Sequence, residues 1–332
     1  MRVGITGISS TLGSCLIPKL IEDQNIEQII GLDLKVLNRD NYNKIHFIKG
    51  DVRNLSHLRN AFKNIDVLIH LAFVVIGSIP DPKKIYDINV NGTKNVFNVA
   101  AELGIKKVIY SSSVAAYGKN ISNSAFLTEK SPLLGQEMSS FYYPYTKALV
   151  EIFIEDFKEQ HPEIKITIFR PHLIVGPHFL SYTDNFKFSF GQLKSNRKIY
   201  WKIGHKNSIG NLVQYTDEHD LISAMHFAVS HVFPGIYNIA GEPYEITNIM
   251  NELGKEEKYI PFWLVKGFLT LCGIFSKKAR CNKKWIEFTN NELIMDCSKL
   301  LNSSYPDKLI SSKNIMLNSI SYLKKIEKSS YF

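Results

Sequence analysis

Short apolar runs alternate along the chain with longer stretches in which apolar residues recur every three or four positions. Val3–Thr6, Gln28–Asp33, Ile45–Lys49, Val67–Leu71, Lys107–Ser111 and Lys165–Arg170 are rich in Val and Ile and too short for helices, so they read as buried strands. Leu12–Asp23, Leu55–Lys63, Lys83–Leu103 and Tyr143–Gln160 carry the helical period, and His161-Pro162 stops the last of them. Strands alternating with helices in this way predict an α/β fold, a doubly wound parallel sheet with helices on both faces. After Gly176-Pro177 the pattern loosens, with aromatic and polar residues mixed through 178–210 and short elements beyond. The expected organisation is a first domain over residues 1–175, to which segments around 210–240 return, and a smaller substrate-binding region over 176–332.

Composition narrows the function class. The 332 residues are 45% hydrophobic and 21% charged, which excludes a disordered or collagen-like chain. Net charge is +9, but residues 251–332 hold 14 basic and 8 acidic side chains and so carry +6 of it. The first 250 residues have almost no excess of positive charge. A nucleic-acid binder shows a basic face on its main domain, so no nucleic-acid partner is expected. The four cysteines (Cys15, Cys272, Cys281, Cys297) have neither disulfide-framework nor zinc-ribbon spacing. With no apolar leader after Met1, a reducing, cytoplasmic setting is expected. Tyr259–Phe275 is the most apolar stretch, but Lys266 interrupts it and it falls short of the ~20 residues a membrane span needs. It reads as a buried or interfacial helix. Lys277, Lys278, Arg280, Lys283 and Lys284 follow without an intervening acid. They form either a solvated basic face or the cationic part of a contact with a membrane surface.

The first strand runs into Thr6-Gly7-Ile8-Ser9-Ser10-Thr11-Leu12-Gly13 and then a helix. A dinucleotide loop needs small residues here, because the backbone must turn tightly, approach a pyrophosphate and let the helix pack close to the strand. Gly7 and Gly13 meet the first and last needs, while Ser10 stands where the usual fingerprint has its middle glycine. Asp33 closes the second strand, 20 residues beyond Gly13. An acid there accepts from an adenosine ribose diol and repels a 2′-phosphate, favouring NAD; Lys35 and Arg39 keep NADP open. Asp51-Val52 and Leu71-Ala72-Phe73 lie at carboxyl ends of strands, where open α/β sheets bind ligands.

Strand five ends in Ser111-Ser112-Ser113, and Tyr143 and Lys147 follow at i and i+4 on one helix face. A tyrosine beside a lysine is a route to an acid/base at neutral pH. Moving a phenol from pKa ≈ 10 toward 7 takes about 4 kcal/mol of phenolate stabilisation, which a nearby ammonium and an oxidised nicotinamide ring can supply together. Ser113 is placed to hydrogen-bond the substrate oxygen.

These residues, in this order, resemble the extended short-chain dehydrogenase/reductase family, also called NAD-dependent epimerase/dehydratases. Asn89-Val90-Asn91-Gly92-Thr93, Glu151, Arg170-Pro171 with Gly176-Pro177, Val213 through Leu221, and Gly235-Ile236-Tyr237-Asn238 look like further family segments. The resemblance covers residues 1 to about 250. It implies a Rossmann fold and a homodimer paired through the helices at Lys83–Leu103 and Tyr143–Gln160. It implies Ser113, Tyr143 and Lys147 as catalytic residues. It also implies NAD contacts at Gly7, Ser9, Ser10, Thr11, Leu12, Gly13, Asp33, Asp51, Val52, Leu71, Ala72, Phe73, Asn89, Ser111, Tyr143, Lys147, Pro171 and Leu173, and no metal.

Departures from the family pattern narrow the reaction. Val114-Ala115 replace the acid pair of sugar-nucleotide dehydratases, and Leu173 and Val213 stand where sugar-nucleotide enzymes carry Asn and Arg. Phe179, Tyr182, Phe186, Phe188, Phe190, Tyr200, Trp201, Phe262, Trp263 and Phe268 either line an apolar pocket or fill the core of a small domain. The expected activity is therefore NAD-dependent oxidation or reduction of a hydroxyl or carbonyl on a small, fairly apolar molecule. The alternative is a sugar epimerase that returns the hydride to its substrate. A non-catalytic NAD-binding protein is the third reading, against which the complete Ser113/Tyr143/Lys147 set speaks.

Overall fold

A computed structural model describes residues 1–36, 43–75, 81–118, 126–180, 192–204, 212–275, 284–285 and 293–329. Seven parallel strands form the main sheet: β1 (Arg2–Thr6), β2 (Gln28–Asp33), β3 (Ile45–Lys49), β4 (Val67–His70), β5 (Lys107–Ser111), β6 (Lys165–Pro171) and β11 (Gly235–Ile239). Their order is β11-β6-β5-β4-β1-β2-β3, which reverses direction between β4 and β1. All six strands expected from the apolar runs are present within a residue at each end. Of the segments around 210–240, β11 joins the sheet at its edge beside β6.

Successive strand residues point to opposite faces, and two cores form accordingly. Ile29, Ile69 and Ile109 meet α1 (Thr11–Glu22) and α7 (Glu218–Ser230) on one face. Ile30, Leu68 and Val108 meet α2 (Leu55–Phe62), α4 (Gly92–Glu102) and α5 (Tyr142–Gln160) on the other. Val96 and Phe97 are buried in this second core, and Leu149 and Phe153 pack partly against it. The first two are thereby used within one chain.

The stretch expected as one helix over Lys83–Leu103 is interrupted. A helical turn, α3 (Pro82–Tyr86), leads into a π-turn over Asp87–Asn91 before α4 begins. Gly92 lets the chain come close at that junction, since a Cβ there would lie 2.6 Å from Val52 Cγ2. Strand β7 (Leu173–Val175) leaves the main sheet to pair with β10 (Tyr215–Asp217), and β8 (Ile199–Ile203) pairs with β13 (Glu256–Ile260). A third core joins this half: Val175, Tyr200, Ile249 and Met250 pack against Ile315, Met316 and Ile320 of α11 (Ser312–Ser329).

Candidate active site

Because every strand of the sheet runs the same way, the carboxyl ends of β1 to β6 share one edge, and the sequence-derived site residues collect there. Gly7 adopts φ +72°, and a Cβ on it would sit 2.5 Å from the Ala72 nitrogen, so the loops after β1 and β4 touch through backbone. A Cβ on Gly13 would lie 2.4 Å from the Ile8 carbonyl oxygen, so α1 starts as close to its strand as a helix can. Ser10 is the N-cap of α1, its hydroxyl accepting from Gly13 N at 3.1 Å. It does by capping what glycine does elsewhere by being small. Thr11 and Leu12 form the first turn, leaving the helix N-terminus directed to the site edge.

Asp33 accepts from the backbone nitrogens of Ser9 (3.0 Å) and Lys35 (3.1 Å), which fixes its carboxylate beside the loop with lone pairs to spare. Arg39 lies outside the described residues. Asp51 is held by Arg53 at 2.6 Å, and Arg53 also reaches Asp87 at 3.1 Å. The guanidinium keeps the Asp51 carboxyl below its ordinary range. Val52 is buried next to it. This cradle fits a dinucleotide: a loop that excludes Cβ atoms, a capped helix N-terminus and an acid at the end of β2.

Asn89 sits on the π-turn and is fully buried. Its amide accepts from Val74 N (2.7 Å) and donates to Val74 O (3.1 Å) and to the Thr146 hydroxyl (3.1 Å). It fastens the loop after β4 to α5. Thr93 donates to Asn89 O, so its oxygen accepts from His70 Nε2 (2.8 Å), and His70 Nδ1 accepts from Thr6 at 2.6 Å. Burial holds this imidazole neutral, its pKa down to about 3. Leu71 is buried just after it.

Burial raises the pKa of the Tyr143 phenol, and the neighbouring Ser113 side chain opposes that rise. Ser113 caps a short 3₁₀ turn, Val114–Tyr117, accepting from Ala115 N at 3.1 Å, so its own proton remains to be donated. Lys147 donates to the Ser111 carbonyl (2.7 Å) and the Tyr110 hydroxyl (3.2 Å). Burial brings its pKa down to about 7, with Glu151 pulling the other way. In the protein alone, desolvation therefore drives both the phenol and the ammonium toward their neutral forms. The lysine is not by itself what makes the tyrosine acidic.

Two aromatic rings enclose the pair. Phe73 lies 3.6 Å below Lys147 Nζ, measured to the ring centroid, and meets the Tyr143 ring edge-on at 6.2 Å. Trp285 packs on Tyr143 at 5.6 Å and on Phe141 at 5.3 Å. Trp285 was not singled out in the sequence, where nothing relates it to a residue 142 positions earlier. Of the aromatics expected to line a pocket, Tyr200 belongs to the third core and Phe179 packs on the first. Trp201, Trp263 and Phe268 are exposed. Tyr182, Phe186, Phe188 and Phe190 lie outside the described residues.

Beneath the site runs a buried polar chain. Ser112 donates to Glu151, which pairs with Arg170 at 2.6 Å. Arg170 donates to the Tyr117 hydroxyl (2.8 Å), and Tyr117 donates to Asn238 (2.6 Å). Pro171 ends β6, and Leu173 is partly exposed at the start of the second half. His172 Nε2 donates to Leu293 O at 2.9 Å, and Asp220 accepts from Ile310 N at 2.7 Å. Both are thus tied to C-terminal backbone. Among the described residues, Cys15, His178 and Glu218 bring potential ligand atoms within 4.8 Å of one another, with His178 Nδ1 already 2.9 Å from Glu218.

The profile of the NAD dependent epimerase/dehydratase family matches residues 3–240. The chain belongs to this family. As a member it is an NAD-dependent enzyme. Curated family relatives include UDP-glucose 4-epimerase 2 of Oryza sativa subsp. japonica, 34% identical over 147 residues (43% of this chain, 35% of that protein). UDP-glucose 4-epimerase of Pisum sativum is 26% identical over 194 residues (53% of each). The matched segments span about half or less of these relatives. Solved structures share the fold over the full length. The Thermotoga maritima UDP-glucose 4-epimerase with UDP-glucose has TM-score 0.70 at 18% identity, covering 98% of this chain and 99% of that one. The Thermus thermophilus UDP-glucose 4-epimerase with NAD has TM-score 0.69 at 18% identity, with the same coverage.

Proposed function

We propose that this family member is an epimerase acting at a secondary hydroxyl of a sugar or nucleotide sugar, with Ser113, Tyr143 and Lys147 as its catalytic residues. The observation that carries the reading is the placement of Tyr143 and Lys147 on one face of α5, with Ser113 next to the phenol, at the sheet edge beside a dinucleotide cradle. NAD, when bound, supplies a hydride acceptor and donor and the ring charge that the desolvated phenol lacks in the protein alone. Ser113 donates to the substrate oxygen, and Tyr143 takes that oxygen's proton and gives it back. Lys147, which donates to the Ser111 carbonyl and the Tyr110 hydroxyl, keeps its third N–H for a ribose hydroxyl.

The sequence alone placed net oxidoreduction of an apolar molecule first. The relatives' reactions favour epimerisation instead. Leu173 and Val213 still support the apolar substrate, since neither can hydrogen-bond a diphosphate, and they make net oxidoreduction the second reading.

The two readings separate in one preparation. An epimerase is purified with NAD held tightly and interconverts UDP-glucose and UDP-galactose with no net absorbance change at 340 nm. Stoichiometric NADH formation would overturn epimerisation in favour of the second reading. Tyr143→Phe is expected to abolish turnover while leaving NAD affinity almost unchanged; retained turnover would sink the catalytic assignment. Pairing of two copies through α4 and α5 also belongs to this proposal, and native mass spectrometry tests it.

A further inference from the structure

The helix α9 (Phe262–Phe275) has the polarity of an ordinary surface helix turned inside out. At 100° per residue, Trp263, Leu264, Gly267, Phe268, Leu271 and Ile274 fall within a single arc of about 140°. That arc is the one facing away from the protein: the five large side chains on it are 45–67% exposed, whereas Val265, Leu269 and Cys272 on the opposite side are partly covered. Lys266 and Thr270 lie beside the arc and not within it. A soluble surface normally scatters its exposed apolar residues singly. Here they are contiguous along about three turns.

Charge says what covers this face. Between Glu257 and Glu287 the sequence carries Lys258, Lys266, Lys277, Lys278, Arg280, Lys283 and Lys284, and no acid. An apolar helix face within a stretch of sequence whose charges are all positive complements a negatively charged lipid surface, the tryptophan at the boundary and the phenylalanine and leucine in the acyl region. The helix has 14 residues and is about 21 Å long, short of the roughly 30 Å hydrocarbon core. No helix of the described residues is long and apolar enough to cross a membrane. We propose that α9 lies in the plane of an anionic bilayer surface and holds the enzyme there by its outward apolar arc. This inference does not depend on which hydroxyl the active site oxidises.

Flotation of the full chain with NAD on vesicles of phosphatidylcholine containing phosphatidylglycerol tests it. The wild type is expected to float with these vesicles at low salt, to float much less on pure phosphatidylcholine, and to lose binding as salt rises. Phe268→Glu with Leu271→Glu is expected to lower partitioning roughly tenfold or more. Because both side chains already face outward, thermal unfolding and NAD binding should stay as in the wild type. Brominated lipid should quench wild-type tryptophan fluorescence, and Trp263→Phe should remove most of that quenching.

Three results would overturn the proposal. The wild type could stay in the aqueous fraction with anionic vesicles, or the double variant could float equally well. The face could instead drive concentration-dependent self-association that the double variant abolishes, without vesicle binding, which would assign it to a second copy of the chain.

Discussion

Lys147→Met removes a charge that the fold holds at a cost. The Lys147 ammonium is almost fully buried, and its pKa falls from 10.5 to about 7 because burial disfavours the charged form. A displacement of that size corresponds to about 5 kcal/mol lost from stability at pH values below 7. The sign follows from proton counts. Between pH 7 and 10.5 the unfolded chain binds a proton at this lysine that the folded chain does not, so stability rises with pH across that window, by at most ~1.4 kcal/mol per pH unit. Below pH 7 both states are protonated, and the penalty is present in full. Methionine has nearly the same shape and no charge, but it leaves the Ser111 carbonyl and the Tyr110 hydroxyl without the lysine's donors at 2.7 and 3.2 Å. Those losses return about 1–3 kcal/mol.

The net expectation for Lys147→Met at pH 7 is a gain of roughly 2–4 kcal/mol, together with loss of turnover. Urea denaturation of both proteins at pH 7 and pH 9, without added cofactor, measures it. The advantage of the variant should shrink by pH 9, because the wild type recovers stability there and the variant does not. A variant less stable than wild type at pH 7, or a difference that does not change with pH, would refute the reading of Lys147 as a desolvated cation.

Two further substitutions probe the cradle and its support. Asp33→Ala should weaken NAD binding about tenfold or more by removing a charged acceptor and should raise the relative affinity for NADP; an unchanged NAD-to-NADP ratio by fluorescence titration would rule out Asp33 as the discriminating residue. Glu151→Gln leaves the Arg170 guanidinium buried without its counter-charge, so unfolding free energy should fall by about 3–5 kcal/mol; a fall below about 1 kcal/mol would mean that the pair is not what holds Arg170 in the core.

Most strands were readable because they are compact Val/Ile runs buried on both faces, the edge strand β3 being only partly covered, and the candidate site residues at their ends, from Gly7 to Pro171, gather at one edge because the sheet is parallel. Helical periodicity showed that residues 83–103 form a helix. It could not show the π-turn at Asp87–Asn91, since one widened turn leaves the buried face continuous on either side. That turn presents Asn89 to Val74 and Thr146, so this candidate cofactor residue also fixes the loop after β4. Phe73 was legible as a site residue, but its place over Lys147 was not. Trp285 was invisible for a different reason: its contact with Tyr143 is set by how the second half of the chain folds back, and local pattern carries no record of that.

The face of α5 explains why Tyr143 is held where it is. Tyr143, Lys147 and Glu151 follow one another at intervals of four, so phenol, ammonium and carboxylate line up from the site edge into the core. Glu151 is occupied at both ends, by the Ser112 hydroxyl from β5 and by the Arg170 guanidinium from β6. Arg170 in turn spends its remaining donors on the Tyr117 hydroxyl and the Glu129 carbonyl, and Tyr117 passes the chain to Asn238 on β11. Asn238 donates to the carbonyls of Leu127 and Asp296. A buried guanidinium is tolerable only when its donors are satisfied together, so α5, β5, β6, β11 and the C-terminal segment must dock in one register or not at all. Ser113 follows Ser112 directly, so the network that fixes Ser112 against Glu151 also fixes the chain entering Ser113.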